Sequence, residues 1–170
     1  MKGRNYRKAR SQPYTRSEYI HGSPSTKIVK FVIGDVQDTY NYKLTLHALR
    51  YVQIRHNALE AARIAANKVL IDNIGETGYL LKVLPYPHVV LRENKMIATA
   101  GADRLQEGMR RSFGKSIGRA ARIHVNDPLL EIYVKENHLD TGRQALKICS
   151  SKLPTPTRIS VEKLEQVKAA

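Results

Sequence analysis

The chain has 170 residues, 42% of them hydrophobic, with two Phe and no Trp, so aliphatic side chains, Ala and some of the nine Tyr can build one core. That length leaves a second full domain no room. Twenty-nine Lys and Arg against 15 Asp and Glu give a formal charge of +14, and so basic a protein meets a polyanion, because each phosphate it neutralises releases condensed counterions.

A membrane surface supplies the same negative charge, but neither a basic amphipathic helix nor a lipidation signal is present to use it. The opening MKGRNYRKARSQPYTR lacks an apolar leader core, and no window approaches about 18 uninterrupted apolar residues. A cytoplasmic protein is expected, and the single cysteine, Cys149, fits a reducing compartment.

Residues 1–26 are polar and cationic and cannot bury a core alone. Lys2, Arg4, Arg7, Lys8, Arg10 and Arg16 precede the first acid, Glu18, and Tyr6, Tyr14 and Tyr19 are interleaved with them. Aromatic rings among cations suit stacking on bases or ribose, and Pro13 and Pro24 favour an extended path. The segment is read as a basic RNA-threading arm, against the plainer reading of a solvated tail.

Residues 27–33 read as a strand, Gly34–Asp35 as a turn, and 42–54 as a second strand in which Leu44, Leu46 and Ala48 alternate with Lys43, Thr45 and His47. Asn57 with Glu60 resembles a capping box opening a helix to about Asn73, which Gly75 closes. Its stripe is Ala58, Leu59, Ala62, Ala65, Ala66 and Val69; Ile64 and Ile71 lie opposite. Residues 78–84 and 88–92 read as strands parted by Pro85-Tyr86-Pro87.

From 98 to 118 the periodicity disappears into a glycine-rich cationic loop. Strands return at 119–125 and 129–135, and a helix at about 138–153 carries Leu139, Gly142, Leu146, Cys149 and Leu153 on one seam before Pro154 and Pro156 stop it. A short strand at 158–161 and a ragged end complete the chain. Six or seven strands and two main helices imply an α+β domain with a mixed or antiparallel sheet. The expected organisation is an arm (1–26), one α+β domain (27–161) with the long loop (98–118), and a C-terminal tail (162–170).

Catalytic readings fail on spacing. Phe113-Gly114-Lys115-Ser116 resembles the end of a P-loop, but Met109 stands where the first glycine must be, and Gly108 is one residue too far upstream. The six histidines, His21, His47, His56, His88, His124 and His138, show no zinc-ligand spacing, so no metal is expected. His47, His88 and His124 fall in expected strands as structural or RNA-facing imidazoles; Cys149 on its apolar seam reads as a buried hydrophobe. Asp103, Glu107 and Asp127 read as local ion-pair partners of Arg and Lys. The loop remains: its glycines admit close approach of backbone to phosphate, and Arg104, Arg110, Arg111 and Lys115 offset the phosphate charge. The competing reading is a disordered loop.

The run LRENKMIATAGADRLQEGMRRSFGKSIGRAARIHV, the helix ALEAARIAANKV and the tail's Gln12-Pro13-Tyr14 resemble the archaeal and eukaryotic ribosomal protein L-ten-e family, relatives of bacterial ribosomal protein L-sixteen, with an archaeal member suggested. The resemblance covers nearly the whole chain and implies a hammerhead-type α+β fold held on large-subunit ribosomal RNA near the aminoacyl-tRNA site and the peptidyl transferase centre. It implies RNA contacts at Lys2, Arg4, Tyr6, Arg7, Lys8, Arg10, Tyr14, Arg16, Arg92, Lys95, Arg119 and Arg122. It also implies a loop facing the tRNA acceptor arm with Gly101, Asp103, Arg104, Gly108, Arg110, Arg111, Gly114 and Lys115. The implied partners are ribosomal RNA, tRNA and neighbouring ribosomal proteins, with no membrane, homo-oligomer, cofactor or catalysis of its own. The chain departs from the eukaryotic pattern after Val161, where it is short and rich in Glu and Lys. A free-standing RNA-modifying enzyme or maturation factor is the alternative, but no nucleophile or cofactor motif supplies its chemistry.

Overall fold

The structure is a computed structural model and describes residues 15–94 and 112–168. Its elements run β1 (Val32–Gly34), β2 (Thr39–Ala48), β3 (Val52–Arg55), α1 (His56–Ile74), β4 (Tyr79–Val83), β5 (Val89–Glu93), β6 (Lys115–Ile123), β7 (Pro128–Val134), α2 (Leu139–Ser150) and β8 (Thr157–Lys168). They form two sheets, a five-stranded one ordered β1-β4-β7-β2-β8 and a three-stranded one ordered β3-β6-β5. Every paired neighbour among the described residues is antiparallel, so of the mixed and antiparallel alternatives the second is found.

One apolar cluster joins both sheets and both helices. Leu44, Leu46, Leu81, Ile132 and Val134 of the large sheet meet Val52, Ile54, Ala121 and Ile123 of the small one, and Leu59, Ala62, Ala66, Leu70, Leu146 and Cys149 of the helices fill the space between. Leu59 and Leu70 are fully buried, and a side chain of that size contributes roughly 1.5–3 kcal/mol by leaving water. The alanines of α1 bring its backbone close to its neighbours, while Ile64 and Ile71 stay exposed on the opposite side.

Several boundaries differ from the sequence expectation, each for a physical reason. The strand expected over 42–54 is two strands: Leu49–Tyr51 turn the chain out of the large sheet, Leu49 N–H donating to the Pro156 carbonyl (3.0 Å), and β3 starts the small one. The first strand is shorter than expected, and Gly34 ends it instead of making the turn. There φ is +103°, and a Cβ would stand 2.0 Å from the Tyr79 carbonyl oxygen, so β1 meets β4 only because this residue has no side chain.

The capping box does not form. Arg55 is the N-cap, with no side-chain cap bond, and Glu60 instead accepts from Arg63 Nε (2.9 Å) and from the Val29 N–H (3.4 Å). Gly75 does close α1, its N–H donating to the Ile71 carbonyl (3.0 Å). Lys115 to Gly118, expected in the loop, belong to β6. The expected helix to residue 153 stops at Ser150, although Leu153 is buried. The short strand at 158–161 and ragged end are instead the long strand β8, paired along β2 from Thr157↔Ala48 to Lys168↔Thr39.

Candidate nucleic-acid interface

The end of the N-terminal segment is laid onto the small sheet. Arg16 bridges Val89, and Val90 N–H donates to the Thr15 carbonyl (3.1 Å), so residues 15–16 extend the β5 edge. The Thr15 hydroxyl donates back to the Val90 carbonyl. The chain then crosses to β6, where Ser116 Oγ donates to the Gly22 carbonyl (2.9 Å) and the Arg119 guanidinium to Ser23 Oγ (3.1 Å). It reaches α1 where Lys27 N–H donates to His56 Nδ1 (3.3 Å). His56, 5% exposed, is held below its ordinary pKa first by burial and then by the nearby Lys27, Arg55 and Arg119 charges. Sequence reasoning missed this anchor, because a lone histidine beside an asparagine carries no pattern.

β5 and β6 form a hairpin whose base is built from expected site residues. Arg92 places its guanidinium 3.0 Å from the centroid of the Phe113 ring and donates to the Phe113 carbonyl. Glu93 pairs with Lys115. Between them Gly114 turns with φ +73°, and a Cβ there would lie 2.5 Å from the Glu93 carbonyl carbon. Phe113 is 57% exposed and Lys115 also faces solvent, so the hairpin base offers a ring and two cations to a ligand outside the core.

The structure thus brings Arg16, Arg92, Gly114, Lys115, Arg119 and Arg122 onto one three-stranded sheet. Arg16 is also 3.3 Å from Glu18 and 4.8 Å from the Tyr19 ring. Lys2, Arg4, Tyr6, Arg7, Lys8, Arg10, Tyr14, Lys95, Gly101, Asp103, Arg104, Gly108, Arg110 and Arg111 lie outside the described residues, as does Glu107.

Acids crowd one end of the large sheet, among Lys135, Lys163 and Lys168. Asp35, Asp38, Asp72, Glu76, Glu136 and Asp140 gather where β1 and β7 end and β2 and β4 begin. There Lys135 Nζ lies 2.6 Å from Asp38, which holds that carboxyl below its ordinary pKa, and the two nearby aspartates together with burial push Tyr40 up to about 12, burial leading. The opposite end, beside the small sheet, carries Arg50, Arg55, Lys152 and Arg158, cations that the sequence reading did not single out. Arg158 donates to Asn126 Oδ1 (3.2 Å), and Asn126 N–H donates to the Ala48 carbonyl (2.7 Å), so the turns at this end are tied together.

The remaining polar groups act locally. Asp127 pairs with a histidine and not with an Arg or Lys: it accepts the His124 N–H (2.7 Å) and lies 3.4 Å from that ring. His47 bridges the Asn126 carbonyl (3.0 Å) and Ser160 Oγ (2.9 Å). His88 and His124 flank strands instead of lying in them; the His88 ring meets Tyr86 tilted by 50°, at 4.7 Å between ring centroids. Cys149 is buried, and burial pushes its thiol up to about 12. Among the described residues no three His, Cys, Asp or Glu are placed to hold a metal, and no helix is long and apolar enough to cross a membrane.

Comparison with known proteins points in one direction. The family model described as ribosomal protein L16p/L10e matches residues 3–160. Proteins named large ribosomal subunit protein uL16 are similar along their length: that of Hyperthermus butylicus is 53% identical over 98% of this chain and 96% of its own. Those of Staphylothermus marinus (52%; 90% and 88%) and Sulfolobus acidocaldarius (52%; 99% and 97%) are alike to nearly the same degree. A chain matched this far, by a family model and by relatives of its own length, belongs to the ribosomal protein L16p/L10e family.

Proposed function

We propose that the chain is a structural constituent of the large ribosomal subunit that holds ribosomal RNA near the aminoacyl-tRNA site and the peptidyl transferase centre and helps position the tRNA acceptor arm. It is not an enzyme; catalysis in this reading belongs to the RNA. The observation that carries it is the family membership over nearly the whole chain. The +14 charge supports it, since phosphate contacts supply most of such binding.

The shared small sheet supports a division of labour. The arm enters beside Val89 at one end of β5, and the loop leaves after Glu93 at the other, about 14 Å away along the strand. A rigid sheet between them sets the spacing of two RNA-directed segments. In this proposal Lys2, Arg4, Tyr6, Arg7, Lys8, Arg10, Tyr14 and Arg16 run among RNA helices, with Arg92, Lys95, Arg119 and Arg122 contacting RNA from the sheet and loop base. Gly101, Asp103, Arg104, Gly108, Arg110, Arg111, Gly114 and Lys115 face the tRNA. The two antiparallel sheets sharing a core with α1 support the hammerhead assignment.

Ribosomes carrying Arg110→Ala/Arg111→Ala test the tRNA role. Accommodation of aminoacyl-tRNA is expected to slow by roughly tenfold, from the loss of two phosphate contacts, while the purified variant melts like the parent. Unchanged accommodation kinetics contradict it.

A further inference from the structure

The outer face of the small sheet carries a ladder of polar and aromatic side chains along β3 and β6. Val52 and Ile54 enter the core, so Tyr51, Gln53 and Arg55 fall on the other face. Across the strand pair Gln53 is in register with Arg122, and the Tyr51 ring meets His124 edge to face at 5.6 Å. Tyr51 is 46% exposed, whereas Gln53, further along the same face, is buried. Along the same face a cleft of about 370 Å³ opens between β3, the first turns of α1 and the segment after α2. Its walls include Gln53, Arg55, Ala58, Lys152 and Pro154. Volumes of roughly 300–1,000 Å³ seat small organic ligands.

We propose that this face is a further RNA-binding surface, in which an unpaired base stacks on Tyr51 and the adjoining phosphates lie between Arg55 and Lys152 in the cleft. The inference rests on the ribosomal-RNA reading above and deepens it by naming a surface and the kind of RNA it takes. Tyr51 and Arg55 are about 14 Å apart along β3, so the ligand is a short unpaired stretch and not a single nucleotide. The composition of the face selects RNA over a protein partner. It is cationic, with Arg50 and Arg158 flanking it, and the acid beside it, Asp127, is engaged by the His124 amide. An aromatic ring set among cations is the recurring platform for single-stranded nucleic acid. A duplex has no exposed base face to offer Tyr51.

The test uses the full chain and transcribed large-subunit ribosomal RNA, with affinity measured across a salt series. Tyr51→Leu keeps apolar bulk but removes the stacking ring, and affinity is expected to fall roughly tenfold. Arg55→Gln/Lys152→Gln is expected to weaken binding and lower the salt slope by about two. A control with the same charge change elsewhere, Lys30→Gln/Lys68→Gln, is expected to affect affinity much less. Melting curves identify any variant that fails to fold, and the other variant then decides. Parent-like affinity and salt slope in both overturn the inference while leaving the ribosomal reading intact. If instead the variants bind RNA normally but enter subunits poorly, the face meets a ribosomal protein and the RNA surface is refuted. A parent chain that does not bind this RNA at all overturns both readings.

Discussion

The Lys27 amide donates to Nδ1 of His56 across 3.3 Å, closing the N-terminal segment onto the first turn of α1. An accepting Nδ1 means a neutral ring with its proton on Nε2, the nitrogen that packs closest to Gly118, where an added Cβ would sit 3.3 Å away. One imidazole therefore couples the arm, the helix and the middle strand of the small sheet.

That coupling has a pH dependence of known sign. The folded pKa of His56 lies below its ordinary 6.5, so the unfolded chain takes up the proton first as pH falls. Stability is undiminished above about pH 7, and declines as pH drops below 6.5 towards the folded value. Denaturant unfolding at pH 7.5 and 5.5 is expected to show a larger loss for the parent than for His56→Gln; equal losses would show that another group sets the acid limb.

Glu60 gives a second, lower window. The Arg63 hydrogen bond leads in holding its carboxyl below the ordinary 4.5, with Arg63's charge and the Val29 amide adding to it. A depressed carboxyl contributes stability above its unfolded pKa and loses it as pH falls through the folded one. Glu60→Gln is expected to cost about 1 kcal/mol at pH 7, with the gap to the parent closing in acid. A gap that persists unchanged into strong acid would assign the effect to packing.

Two glycines with similar backbone angles separate strain from collision. Gly34 (φ +103°) would drive a Cβ into Tyr79, whereas at Gly75 (φ +91°) nothing lies within 4 Å of one. Gly75→Ala is expected to cost about 1–3 kcal/mol, because φ +91° with ψ 177° suits glycine almost alone, and Gly34→Ala more than that because β1 must leave β4 as well. Equal shifts in denaturation midpoint would mean that β1 yields without cost.

How far such features could be read beforehand depends on how local their cause is. Helix α1 was legible because its apolar spacing and Gly75 act within one element. The Pro85–Pro87 break likewise separated β4 from β5. The split between β2 and β3 was not, since Leu49 is held by Pro156, more than a hundred residues along the chain. β8 was hidden because its partner is β2, and its Glu and Lys alternate in a way that suits a solvated tail until Lys43 sits 3.9 Å from Glu162. Among site residues, Lys115 was legible in the glycine-rich cationic run, whereas Arg92, Arg119 and Arg122 came from a resemblance, not from a pattern. Arg55 and Lys152 line one cleft only through tertiary folding.

Cys149 provides a check on the core itself. A thiol raised to about 12 by burial is almost wholly protonated at neutral pH and a poor nucleophile. A thiol-specific reagent is expected to leave the native chain unmodified and to label one site per chain in denaturant. Rapid labelling of the native chain would show that α2 does not pack on the sheet as described.

Whether RNA holds the chain in the large subunit is decided by a sucrose gradient of a native lysate before and after a high-salt wash, with this protein detected in each fraction. Near one copy per large subunit is expected, retained through the wash, because the folded sheet adds contacts that are not purely ionic to the salt-sensitive phosphate contacts. Sedimentation with free proteins, or release at modest salt, would contradict it.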